Sequence, residues 1–226
     1  MGPQKDSQRS HCIRCGECCL KSSPRLQIQD VPLMAKGLIK REDVYTLRKG
    51  ELVYDNVRDE MILTDSEVIK LKENKAGSGC IYYNRREHAC LIYDHRPAEC
   101  VALACWDIAQ FMEVDKGPKA TRKDIVTDRI LLGLIEEHEI RCGYNRLETL
   151  VKEIASKGEE AVQKIIESLK FDHLLRPFIT KKMGIDPKAM DFLFGRPLIE
   201  TIIMFGLRVT KEPDGSFLLT TSDPHQ

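Results

Sequence analysis

Eight of the nine cysteines in this sequence stand in two groups, Cys12, Cys15, Cys18 and Cys19, then Cys80, Cys90, Cys100 and Cys105, and they carry its most evident chemistry. The first group reads Cys12-Ile13-Arg14-Cys15-Gly16-Glu17-Cys18-Cys19, a C-x2-C-x2-C-C string. Its first three cysteines have the spacing with which a ferredoxin loop wraps three corners of an iron-sulfur cubane and leaves the fourth to a remote thiolate. Zinc takes the same donors, because it accepts four sulfurs in a tetrahedron at about 2.3 Å. Gly16 permits a sharp turn that aims amide N–H groups at sulfur, and Arg14 and Lys21 can offset part of the charge of a thiolate cluster. The neighbours Cys18 and Cys19 are expected to diverge, so that Cys19 serves a second centre with the remote thiols.

In the second group, Cys80 and Cys90 open two similar apolar stretches that can pair as a hairpin and bring both thiols towards one centre. Gly77 and Gly79 loosen the backbone just ahead of Cys80. Cys100 and Cys105 are five residues apart and fall off a common helix face, so either the helix breaks between them or they serve different centres. Eight thiolates suffice for two complete sites. The expectation is one indispensable centre on Cys12, Cys15 and Cys18 with one later cysteine, and a second that is held less tightly.

Other candidates read as peripheral. His11, His88 and His95 flank the cysteines without being needed as ligands, and Trp106 suits a core. Arg96 can donate to the backbone or to sulfur, the alternative being a surface salt bridge with Asp94 or Glu99. His138 and Cys142, four residues apart, can share a helix face. His138 lies among Glu136, Glu137 and Glu139, which predicts a solvated face, and Cys142 is expected as a semi-buried thiol outside the metal site.

The string C-x2-C-x2-C-C, followed by Cys80, by Cys90-x-Ile92-Tyr93-x-x-Arg96-Pro97-x-x-Cys100 and by Cys105, resembles the YkgJ-type cysteine-cluster proteins, a family of zinc- or iron-chelating CxxCxxCC domains. The resemblance covers about residues 12 to 105 and implies metal chelation. After Cys100 the family often has arginine, then an aromatic and proline, where this chain has Val101, Leu103 and Ala104. A domain with this pattern also occurs in flagellin lysine methylases. A protein-modifying enzyme or its accessory subunit is therefore one alternative to an iron-sulfur protein of the 4Fe-4S type; a structural zinc protein acting through protein interaction is the other. No glycine-rich phosphate loop, G-x-S-x-G elbow or H-E-x-x-H string is present to name a substrate.

The elements that must position these residues give an α+β fold. We expect a polar, disordered segment over 1–11, a cysteine-cluster α/β domain over 12–120 and a mainly helical region over 121–226 that serves as a cap or partner surface. Between Asp30 and Gly50 the caps predict two short helices, with Pro32 inside the first turn and Gly37 and Gly50 at the ends. Strands are expected at 51–54, 61–63, 68–71, 80–83 and 90–93, and Pro97 opens a helix. Beyond Thr121 the stripe Ile125, Ile130, Leu131, Leu134 and Ile135 has a helical period, which continues over 147–169, 176–182 and 187–205. Leu207–Thr210 is expected to pair with Ser216–Thr220 as a terminal hairpin. Thirty-five basic and thirty-five acidic residues balance to zero, so nothing demands a nucleic-acid partner, and a protein partner is expected. The opening MGPQKDSQRSHC lacks the apolar run of a secretory signal and no stretch is long enough to span a bilayer. A cytoplasmic address follows as the expectation. In a reducing compartment nine cysteines are better explained by metal or redox chemistry than by disulfides.

Overall fold

A computed structural model describes residues 10–56, 58–74 and 79–222. The expectation of disorder over residues 1–9, and the role given to Gly77, lie outside the described residues. The chain folds as α+β and divides into two compact units, one from Met1–Val44 with Val68–Ile125, the other from Tyr45–Glu67 with Val126–Gln226. Residues 45–67 thus fold with the second unit, inside the 12–120 span that the sequence reads as continuous.

In the first unit, the short helix Glu17–Lys21 follows the first cysteine loop. Segment 24–28 then lies between two others: Leu26 donates to the Ile69 carbonyl, and Ala120 donates to that of Leu26. Helix Val31–Ala35 starts after Asp30 with Pro32 in its first turn and ends where Gly37 turns left-handed, at φ 71°. There Leu38 donates to the Leu33 carbonyl and Gly37 to that of Met34, the paired bonds that close a helix C-terminus. The second helix expected before Gly50 does not form. Only the 3-10 turn Arg41–Asp43 is present, and the β-favouring run Val-Tyr-Thr-Leu continues as strand Val44–Leu47.

The cysteine hairpin is shorter than expected. Tyr83–Asn84 pairs with Ala89–Cys90 in antiparallel register, so the cross-strand partner of Cys90 is Tyr83 and not Cys80. A 3-10 turn, Tyr93–His95, then leads to helix Ala98–Ala102, which starts after Pro97. Leu26, Ile39, Ile69, Leu71, Ala98 and Ala120 are among the buried apolar residues of this unit.

The second unit is mainly helical, with Arg129–Cys142, Tyr144–Lys157 and Glu159–Met183 as its long helices. Asp128 caps the first by accepting from the amides of Ile130 and Leu131. Gly158, at φ 54°, splits the expected 147–169 stripe into two helices, whereas Pro177 is accommodated inside the third. Tyr144, Leu147, Leu150, Ile165, Leu169, Leu198, Ile202 and Leu207 form its core together with Cys142. The terminal hairpin pairs Leu207–Lys211 with Phe217–Thr221. A second hairpin pairs Leu52–Asp55 with Glu60–Leu63.

One expectation in this unit is overturned. His138 is 0% exposed, not solvated, and its Nε2 lies 2.8 Å from Oδ1 of the buried Asp172. Arg176 donates to the same Asp172 oxygen, so Oδ1 is shared by two side chains from 34 and 4 residues away. Among the described residues no helix is long and apolar enough to cross a membrane.

Candidate metal centre

The first cysteine loop turns because two of its residues take left-handed backbone, Arg14 at φ 58° and Gly16 at φ 80°. Successive amides in such a turn point to one side and make a concavity that suits negative charge, as at iron-sulfur and phosphate sites. The Arg14 amide lies 3.4 Å from Cys12 Sγ and donates to it. Glycine at position 16 is required twice over. Its φ is costly for any residue with a β-carbon, and an added Cβ would collide with the phenol of Tyr83.

The second cysteine group is brought to the first by close backbone approach. The Cys80 amide donates to the Cys19 carbonyl at 2.7 Å. Gly79, at φ 88°, packs against the same stretch, where an added Cβ would fall 2.7 Å from Leu20 Cα and collide with the Cys19 carbonyl. Tyr83 is buried beneath the loop, with its hydroxyl 3.5 Å from both the Cys15 carbonyl and His88 Nδ1. The contact with Cys15 spans 68 residues of sequence, which is why spacing alone does not reveal Tyr83.

Cys18 and Cys19 do not diverge. Their Sγ atoms are 4.0 Å apart, close to the roughly 3.8 Å edge of a sulfur tetrahedron built at about 2.3 Å around zinc. Cys19 interacts electrostatically with Cys18, Cys100 and Cys80, Cys100 also with Cys90, and Cys80 with Cys90. Five of the eight candidate thiols are thus linked by pairwise electrostatic interaction. Cys12 and Cys15 are exposed on the loop that enters the same helix, and Cys105 is exposed beyond helix Ala98–Ala102. That helix ends at Ala102, so Cys100 and Cys105 are not on one helical surface. Among the described residues, no group of three or more His, Cys, Asp or Glu is placed to hold a metal ion.

The thiols are tuned by one another. A hydrogen bond from Cys19 pulls Cys18 down to about 6 against the effect of burial, and the same bond, with burial, pushes Cys19 up. Burial pushes Cys80 up to about 11 and raises Cys100 as well, with further repulsion from the neighbouring sulfurs. Several thiolates gathered this closely need a cation to be ionised together, and soft sulfur donors select zinc or iron over hard cations. The donor set thus fits a thiolate-bound metal.

Two buried carboxylates, neither expected near the cysteines from the sequence, anchor the helix that carries Cys100. Glu99 accepts from Arg25 Nε at 2.9 Å, from the Arg25 amide at 2.8 Å and from Gln27 Nε2 at 3.0 Å. Asp30 accepts from the Ala98 amide at 2.9 Å and the Gln27 amide at 2.8 Å. Arg96 donates through Nε to the Tyr93 carbonyl at 2.8 Å, the backbone option among those expected for it. Cys142 belongs elsewhere: it is buried in the second unit with its Sγ 3.5 Å from the Ser168 carbonyl, and burial raises it to about 12.

Fold and site together define a small α/β domain built to gather cysteine sulfurs for a metal. Residues 11–118, just under half of the chain, match the CxxCxxCC family model, described as "Putative zinc- or iron-chelating domain", and this part of the chain is similar to that family. The YkgJ-type resemblance is consistent with that match. Comparison with curated proteins and with solved structures gives no match.

Proposed function

We propose that the first unit binds an iron-sulfur group of the 4Fe-4S type through Cys12, Cys15 and Cys18, with one of Cys80, Cys90 or Cys100 as the fourth thiolate. The observation that carries this reading is the left-handed turn at Arg14 and Gly16, with the Arg14 amide bonded to Cys12 Sγ. Amide donors facing sulfur are a means by which proteins stabilise and tune such groups. When bound, the group supplies one-electron transfer. The chain's own part is to hold the loop around it through Gly16 and Tyr83, and to bring in the remote thiol through Gly79 and the helix Ala98–Ala102.

A second reading has its own observation. The 4.0 Å separation of Cys18 and Cys19 suits two ligands of a single tetrahedral ion, which supports a structural zinc site whose binding free energy adds to folding, with a protein partner as the functional target. Anaerobic purification followed by visible absorption and assays of iron, acid-labile sulfide and zinc separates the two. The iron-sulfur reading requires a coloured protein with matched iron and sulfide. A colourless protein with stoichiometric zinc establishes the second reading in its place.

A further inference from the structure

Two segments of the first unit meet at Tyr93. The Arg14 guanidinium, from the loop between Cys12 and Cys15, stands 4.0 Å from the centre of the Tyr93 ring. That of Arg96, four residues before Cys100, stands 3.8 Å from it. Arg96 is held there by its bond to the Tyr93 carbonyl, and Arg14 by the left-handed backbone that also directs its amide at Cys12. Two cations gathered at one place repel each other unless something negative lies between them, and an aromatic face supplies that negative potential. Arg96 also lies within electrostatic reach of Cys18. Four thiolates around a divalent ion leave a net charge of about −2, which nearby guanidinium groups offset.

We propose that Tyr93 is a positioning residue of the metal centre, whose ring holds Arg14 and Arg96 beside the thiolates and so couples the Cys12–Cys15 loop to the turn that leads into Cys100. This rests on the reading of the cysteines as a thiolate metal centre. The phenol oxygen has no part in it; the face of the ring does the holding.

The test is titration of the full chain, freed of metal and reduced, with zinc and with cobalt(II) against a competing chelator. It compares wild type with Tyr93→Phe, Tyr93→Leu, Arg14→Gln and Arg14→Lys. Tyr93→Phe keeps the aromatic face and binds within about twofold of wild type, whereas Tyr93→Leu loses both cation contacts and binds about tenfold more weakly. The thiolate-to-cobalt absorption changes in Tyr93→Leu and is restored in Tyr93→Phe. Arg14→Gln weakens binding a few-fold, and Arg14→Lys recovers it in part because the charge remains but the planar stack is lost. Wild-type affinity in Tyr93→Leu overturns the proposal, and so does a Tyr93→Phe variant as weak as Tyr93→Leu. Should Tyr93→Leu lose its far-UV spectrum, the Arg14 pair decides: equal affinity in Arg14→Gln and wild type overturns it. A wild-type chain that takes up neither ion and carries no iron as purified refutes the metal centre itself, which is a separate result.

Discussion

The phenol of Tyr83 occupies the space that a β-carbon on Gly16 would need, so one side chain from the hairpin locks the turn of the first cysteine loop. Gly16→Ala therefore meets both a left-handed backbone and a collision, and is expected to cost about 2–3 kcal/mol and to lower metal content. Gly37→Ala is the comparison: its φ of 71° is similar, but no atom lies within 4 Å of the added carbon, so it is expected to cost only about 1 kcal/mol. Equal losses in denaturant unfolding would show that the collision with Tyr83 is relieved by movement.

Metal content distinguishes the cysteines. On the proposed ligand set, Cys15→Ser removes one of four donors and should strip the tightly held centre. Cys105→Ser, at an exposed position beyond the end of the Cys100 helix, should lower metal content by less. Complete loss from both variants would indicate one cooperative site that includes Cys105. Cys142→Ala should leave the metal stoichiometry unchanged while destabilising the second unit by about 1–2 kcal/mol, because a buried side chain is truncated.

Glu99→Ala leaves Arg25 and Gln27 without their shared acceptor in a buried position. The expected cost is about 2–3 kcal/mol, and the neighbouring Cys100 thiol should react faster with a maleimide in the metal-free protein. Glu99→Gln, which keeps one acceptor oxygen, should lose less. An unchanged alkylation rate in Glu99→Ala would remove the carboxylate from the support of Cys100.

Acid should loosen the second unit in two stages. Burial lowers the pKa of His138, and for Asp172 burial is outweighed by the hydrogen bond from His138 and the charge of Arg176, so its pKa is lowered as well. In both cases the unfolded chain binds the proton more readily, and stability is lost as pH falls. The loss begins below about 6.5 for His138 and below about 3.9 for Asp172. Hydrogen exchange of the Arg129–Cys142 helix between pH 7 and pH 5 measures the first stage independently of the metal centre. His138→Gln should flatten that dependence. A wild-type helix with no loss of protection over this range would contradict the assignment.

Much of the chemistry was legible because it is local. The four cysteines within eight residues, the Pro32 start and Gly37 stop signals and the turn between 211 and 217 depend on neighbours along the chain, where helical period and turn stereochemistry hold regardless of context. The tertiary structure decided what depends on which surface is covered. His138 sits in an acidic run that reads as solvated, yet Asp172 and Arg176 arrive from another helix and leave it with no exposed surface. Cys18 and Cys19 were expected to part, but their side chains come to 4.0 Å where Cys80 and Gly79 press on the Cys19 backbone. Glu99 looks like one more surface acid until Arg25, 74 residues away, closes on it. Donor type and spacing are properties of the chain, and by themselves they pointed to zinc or iron on sulfur without choosing between them. Long-range approach, made possible where Gly16 and Gly79 have no side chain, decided how the first cysteine loop meets Tyr83 and the Cys80 segment.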